Sequence, residues 1–183
     1  AENLKMISVA FTGVDHVDLD VCRERDILVS NAAGYSTHSV AELSFGMMIS
    51  LLRNIVPLDR VTREGGTMAG YRQRDLYGKT LGVVGTGAIG SKVAEIGLAS
   101  GCNVLAYNRS ENTDLKAKGV KYIDIEDLFR ESDIITIHLP LTPETRGFID
   151  EDKLRLMKKD ALLINTARGP MIDNEALAKI LKE

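Results

Sequence analysis

Val83-Val84-Gly85-Thr86-Gly87-Ala88-Ile89-Gly90 is the stretch whose reading settles the fold. It sets Gly-x-Gly-x-x-Gly between an apolar run, Thr80 to Val84, and an apolar-periodic stretch, Ala88 to Ser100. At this spacing a buried strand turns directly into a helix. Gly85 allows the tight turn, Gly87 lets the backbone come close to a pyrophosphate, and Gly90 lets the helix pack against the strand. The helix N-terminus then offers unpaired N–H groups and a partial positive charge for the phosphates. Glycines spaced this way also serve tight packing alone. The strand before, the helix after and a further strand at Asn103 to Tyr107 make dinucleotide binding the reading of this stretch.

Downstream the alternation continues. The pattern predicts a small element at Val120 to Ile123, a helix at Ile125 to Glu131 and a strand at Asp133 to Leu139. A helix at Lys153 to Met157, a strand at Ala161 to Asn165 and a helix from Asn174 to the end follow. Leu81-Gly82-Val83-Val84, Ile134-Ile135-Thr136-Ile137 and Leu162-Leu163-Ile164 are continuous apolar runs, as strands covered on both faces of a parallel sheet are. Buried strands alternating with helices specify an α/β protein with a doubly wound parallel sheet.

Upstream, Ile7 to Phe11 and Ile27 to Ser30 read as strands on either side of a helical stretch, Leu19 to Arg25. One long helix is predicted from Val40 to about Arg63, capped by Ser36, Thr37 or Ser39 and kinked or broken near Pro57. Its first half, Ala41 to Leu52, is apolar on nearly every face, which predicts a helix buried all round, between domains or between subunits. Met47 and Met48 within it read as core filler rather than a cofactor box.

The 183 residues are 44% hydrophobic and 27% charged, with a formal charge of −3. No basic excess exists to neutralise phosphates, so neither nucleic acid nor an anionic membrane is expected as a partner. The longest apolar stretch, Leu43 to Leu52, falls short of the roughly 20 residues a membrane span needs. Cys22 and Cys102 match no ligand spacing, so no metal is expected, and a reducing cytoplasm is the default compartment. The chain opens on Ala1 rather than Met and closes on Lys182-Glu183 within a helical pattern, and therefore reads as a piece of something longer.

A dinucleotide turn is expected to meet its ribose reader about 20 residues on. Asn108 lies 23 positions after Gly85 (108 − 85) and is followed by Arg109 and Ser110. An acid there would accept from both ribose hydroxyls and repel a 2′-phosphate. Asn108 does not repel, Arg109 could form charge-assisted bonds to that phosphate, and Ser110 could donate another. Against this, Glu111 could repel the phosphate, and Arg109 could sit in solvent or stack on adenine. The lean is to NADP over NAD.

Five motifs together carry a family resemblance. They are Thr12-Gly13-Val14-Asp15, Asn31-Ala32-Ala33-Gly34 with Val40-Ala41-Glu42, the glycine turn, His138 through Thr145, and Asn165-Thr166-Ala167-Arg168-Gly169-Pro170. In this order and spacing the chain resembles the D-isomer-specific 2-hydroxyacid dehydrogenases over essentially its whole length. The resemblance implies an oxidoreductase that moves a hydride between NAD(P)H and C2 of a small 2-oxo or 2-hydroxy acid. Arg168 looks like the family's active-site arginine, holding the substrate carboxylate and polarising the C2 oxygen, a role a permanently charged planar fork suits. Thr166 and Ala167 would line the nicotinamide side. Pro140 and Thr145 would shape the adenosine side, with His138 and Leu139 along the same groove. Thr12 and Gly13 would bind the carboxylate through backbone N–H groups.

The family's catalytic glutamate and histidine both lie downstream of the arginine helix, past Glu183, so the chain by itself is expected to be inactive. His138 is weighed as a substitute base and reads instead as a cofactor-side packing residue; His16 and His38 read as surface or hinge residues. Residues 1–32 read as the remnant of a flavodoxin-like substrate domain with exposed sheet edges, and 33–183 as a Rossmann domain short of its final strands. A homodimer is expected through the apolar helix. The rival reading is a dinucleotide-sensing interaction module without catalysis, like the corepressor relatives of the same family.

Overall fold

The computed structural model describes residues 2–183. Five strands, β3 (Thr80–Val84), β4 (Asn103–Tyr107), β5 (Lys121–Tyr122), β6 (Ile134–Ile137) and β7 (Leu162–Asn165), form one all-parallel sheet in the order β5-β4-β3-β6-β7. Growth outward from β3 in both directions is the doubly wound arrangement predicted from the apolar runs. β3 is central, and Leu81, Val83 and Val84 on it are wholly buried.

Helices cover both faces of this sheet. On one, α2 (Thr37–Leu52) and α4 (Ala88–Ala99) bury Ala41, Phe45, Met48, Leu52, Val93 and Ala94 against Leu81 and Val83. On the other, α6 (Ile125–Glu131), α7 (Glu151–Leu156) and α8 (Asn174–Ile180) bury Leu128, Phe129, Leu154 and Ala176 against Val84, Ile135 and Ile137. Fully buried side chains such as Phe129, Met48 and Leu128 each contribute about 1.5–3 kcal/mol of hydrophobic stabilisation. Caps fix where these helices start: Asp150 accepts from Lys153 N–H at 3.0 Å, and Asp173 from Glu175 and Ala176 N–H at 3.0 Å each.

The long helix is broken near Pro57, as expected, although the proline itself is not the residue that breaks it. The chain makes two helices, α2 and α3 (Ile55–Arg63), bent by 57°. The break lies at Asn54, whose φ of 51° is left-handed and ends helical bonding, while Pro57 falls in the first turn of α3, where its missing N–H costs nothing. Contrary to expectation, α2 is not buried all round. Ala41, Ser44, Phe45, Met48 and Leu52 point inward, but Leu43, Met47 and Leu51 form a second stripe that is 51%, 41% and 50% exposed. No single helix among the described residues is long and apolar enough to cross a membrane.

The N-terminal part stands on its own small sheet. β1 (Met6–Val9) and β2 (Leu28–Asn31) pair in parallel around α1 (Leu19–Glu24), with only Val9 and Cys22 buried among the described residues of this part. With two strands the sheet keeps an outer edge on each side, as expected, and the paired Met6 and Leu28, 52% and 70% exposed, leave a face uncovered. A five-residue helix, α5 (Thr113–Ala117), and a single 3-10 turn at Gly169–Met171 complete the chain; neither was predicted.

Candidate functional site

The glycine turn sits where β3 ends and α4 begins. Gly85 has φ +95°, which only glycine adopts readily, and its N–H donates to the Tyr107 carbonyl at 2.8 Å. A Cβ on Gly90 would stand 1.8 Å from the Gly85 carbonyl oxygen, so the turn closes only because Gly90 has none. Gly87 is the opposite case. A Cβ there would meet nothing within 4 Å, because the residue faces an open cleft. Among the described residues the N–H groups of Ala88 and Ile89 find no acceptor, as expected of a helix's first turn. Open space against unpaired N–H groups at a helix N-terminus is what a pyrophosphate requires, so these residues fit a dinucleotide.

The cleft has a volume of about 880 Å³ and runs along the C-terminal ends of the strands, at the point where the winding reverses between β3 and β6. It gathers eleven of the residues singled out from the sequence: Thr12 and Gly13 after β1; Gly87, Ala88 and Ile89; His138, Leu139 and Pro140 after β6; and Thr166, Ala167 and Arg168 after β7. The start of α2, from Tyr35 to Thr37, forms another wall that sequence reasoning did not assign.

Arg168 is held by two partners. Its Nε and Nη2 donate to Asp15 Oδ1 at 3.2 and 3.1 Å, and its Nη1 to the Ala167 carbonyl at 3.0 Å. A guanidinium carries five N–H donors. Three are committed (five minus three leaves two), one on each terminal nitrogen, and both residues line the cleft. Gly13 leaves room for this arrangement, since a Cβ there would lie 2.1 Å from Nη2. The hydrogen bonds from Arg168 hold the Asp15 carboxyl below its ordinary pKa of 3.8, so it stays ionised and paired. Arg168 thus forms an ion pair, with a cleft residue and with donors to spare.

Asn165 shapes the loop that carries Arg168. Its Oδ1 accepts from Ala167 N–H at 3.0 Å and its Nδ2 donates to the Arg168 carbonyl at 2.9 Å. Thr166 is tied to α2 through Ser44, the two hydroxyls standing 3.1 Å apart. Asp15, Asn165 and Ser44 were not assigned roles from the sequence. Asp15 and Asn165 do stand within the quoted motifs, and Asn165 also left a local signal, an Asn ending a strand before a turn.

His138 lies with Nε2 2.8 Å from Thr136 Oγ1, and burial pushes its pKa down to about 4. It is neutral at neutral pH, as a packing residue is. Thr145 spends its hydroxyl within its own loop, donating to Pro140 O at 2.6 Å and accepting from Thr142 N–H at 2.8 Å. Gly85, Thr86, Gly90, Asn108, Arg109, Ser110 and Thr145 stand outside the cleft wall. Asn108 bonds back to the turn, its Oδ1 accepting from Thr86 N–H at 3.4 Å while its Nδ2 donates to Ser110 O at 2.8 Å. Arg109 is exposed and makes no ion pair among the described residues, whereas Glu111 is paired with Lys116. No three His, Cys, Asp or Glu side chains converge among the described residues as a metal site would need.

The sequence matches the family described as D-isomer specific 2-hydroxyacid dehydrogenase, NAD binding domain, over residues 45–183. A glyoxylate reductase of Aeropyrum pernix is 40% identical over 192 residues, covering all of this chain and 57% of that protein. The D-lactate dehydrogenase from Aquifex aeolicus, solved with NAD and lactic acid, superposes with a TM-score of 0.93 at 41% identity, over 98% of this chain and 54% of the other. An acyclic imino acid reductase solved with NADPH and D-Arg gives 0.90 at 36%, over 98% and 58%. The chain thus spans little more than half the length of these relatives.

Proposed function

This chain belongs to the D-isomer specific 2-hydroxyacid dehydrogenases, and on that premise we propose that it is the dinucleotide-binding core of an oxidoreductase acting at C2 of a small 2-oxo or 2-hydroxy acid, with NADP preferred over NAD. The observation that carries the reading is a convergence: the open face of Gly87 and the two uncommitted Arg168 donors front one cleft. The dinucleotide, when bound, supplies the hydride. The N–H groups of Ala88 and Ile89 would hold its pyrophosphate, and Leu139, Pro140 and the Thr145-pinned loop would line its adenosine side. Arg168 offers one donor from each terminal nitrogen to the acid, against the Thr12-Gly13 loop, and such a fork suits planar oxygens. Glyoxylate and lactate, named in two of the relatives, are small acids oxygenated at C2, the class this fork fits. His138, neutral and bonded to Thr136, lines the cofactor side and moves no proton.

The preference for NADP rests on the loop after β4. Asn108 carries no charge to repel a 2′-phosphate, Arg109 forms no close ion pair among the described residues although its charge is felt at Glu144, and Glu111 is occupied by Lys116. We place the division between substrate-domain remnant and nucleotide-binding domain at residue 32, where the chain leaves the β1–β2 sheet for α2. A homodimer joined through the outer stripe of α2, in a reducing cytoplasm that keeps buried Cys22 and Cys102 as thiols, completes the proposal.

Calorimetric titration of the chain with NADPH and NADH tests the cofactor reading. NADPH is expected to bind more tightly, and Arg109→Ala to weaken it about tenfold with little effect on NADH, since the lost bond is to a charged group. Equal or tighter binding of NADH by the unaltered chain would sink the preference.

A further inference from the structure

Thr86, between the first two glycines of the turn, is 6% exposed, and every polar group it owns is engaged. Its N–H donates to Asn108 Oδ1 at 3.4 Å, its carbonyl accepts from Ser91 Oγ at 2.9 Å, and its hydroxyl accepts from the Tyr122 hydroxyl at 2.9 Å. The Tyr122 oxygen in turn accepts from Asn112 N–H at 3.1 Å, and Asn112 Nδ2 donates to Ser91 Oγ at 3.5 Å. The bonds close into a ring, Thr86–Tyr122–Asn112–Ser91–Thr86, drawn from the turn, β5, the cap of α5 and the second turn of α4. Asn112 also caps α5 through its Oδ1, which accepts from Asp114 and Leu115 N–H at 3.0 and 3.2 Å, so the ring is anchored to regular structure on every side.

We propose that Tyr122, Ser91 and Asn112 are positioning residues for the dinucleotide. The ring through Thr86 holds the glycine turn at a fixed distance from the Asn108–Ser110 loop, so that both ends of the cofactor's adenosine half find their partners preformed. This rests on the dinucleotide reading above. The geometry allows little else for Tyr122. Its ring packs on the core while its hydroxyl reaches past β4 to the turn, and β5 holds it by pairing Tyr122 with Ala106. A half-buried hydroxyl is retained at such a place when it satisfies a buried group, here Thr86. A turn held before the ligand arrives loses less ordering entropy on binding than one that must be ordered by it.

The test compares the chain with Tyr122→Phe, Ser91→Ala and the double variant. Each single change is expected to raise the Kd for NADPH about fivefold, the value of one neutral hydrogen bond. The double variant should do no worse than either single, because a ring opened once is already open. Amide exchange measured without any dinucleotide supplies the second readout. The Thr86 and Asn112 N–H groups should be protected in the unaltered chain and exchange faster in both single variants. Exchange at loop rates in the unaltered chain, a Kd unmoved by Tyr122→Phe, or losses that add in the double variant would each overturn the positioning role. Failure of the unaltered chain to bind either dinucleotide would overturn the cofactor reading itself, a result distinct from binding that Tyr122→Phe leaves unchanged.

Discussion

His138 ends β6 with Nε2 2.8 Å from Thr136 Oγ1, and loss of water around the ring lowers its pKa from 6.5 to about 4. The unfolded chain takes up a proton here near pH 6.5, the folded chain only near 4. Between those values the unfolded state binds more protons, so stability falls as pH falls, by up to about 3 kcal/mol across the window, and is flat above it. His138→Gln removes the titration. The variant is expected to lose less stability than the parent chain between pH 6.5 and 4.5 when both are unfolded in urea, although its stability at pH 7.5 is lower. Asp15, with its pKa lowered by Arg168, adds an acid-side loss of its own as its carboxylate protonates, but that loss is common to both proteins and cancels in the difference. Parallel pH profiles would show that His138 takes up its proton at the same pH in the folded chain as in the unfolded one, and would reopen its reading as a base.

The turn from β3 into α4 separates what glycine does for folding from what it does for binding. At Gly90 a methyl group would collide with the Gly85 carbonyl at 1.8 Å, a backbone contact that cannot yield locally, so Gly90→Ala is expected to cost about 3 kcal/mol or more. At Gly87 the φ of −69° suits alanine and the space is open, so Gly87→Ala should cost no more than about 1 kcal/mol, the loss of a preferred cap residue. That methyl group stands where the pyrophosphate would lie. Thermal unfolding with and without NADPH separates the two. Gly90→Ala should unfold well below the parent, while Gly87→Ala should unfold near it and gain nothing from NADPH. Equal behaviour would mean that the turn serves packing alone. These glycines and the buried strands could be read from the sequence because their causes are local: a fixed spacing and runs of apolar residues. The break at Asn54 could not, since a left-handed Asn carries less sequence signal than the nearby Pro57, which does not break the helix. Nor could α5, whose five residues hold together through the Asn112 cap. Asp15 and Tyr122 were missed for a different reason. Their partners, Arg168 and Thr86, lie 153 and 36 positions away, and only the folded chain brings them within reach.

In the molecule as a whole, α2 has three faces with three uses. Its first turn borders the cleft, and its inner side, from Ala41 to Leu52, closes the core over β3. Its outer side is the stripe Leu43, Met47 and Leu51, continued past the bend by Ile55 and Val56 at 50% and 71% exposure. Single exposed apolar side chains are ordinary, but five along one helix pair make a contiguous patch of the kind that marks a protein interface. The net charge of −3 is small enough that two copies meet little repulsion. Sedimentation of the chain is expected to show a dimer, and Leu43→Glu with Met47→Glu to give a monomer, because two buried carboxylates per subunit without partners cost more than an apolar patch of this size returns. The same double variant should still bind NADPH, since the substituted side chains point away from the cleft. A monomer before substitution, or a dimer that survives it, would place the interface elsewhere. A monomeric double variant that no longer bound NADPH would instead show that pairing and the cleft are coupled, for which the contact between Ser44 on α2 and Thr166 beside Arg168 is one path.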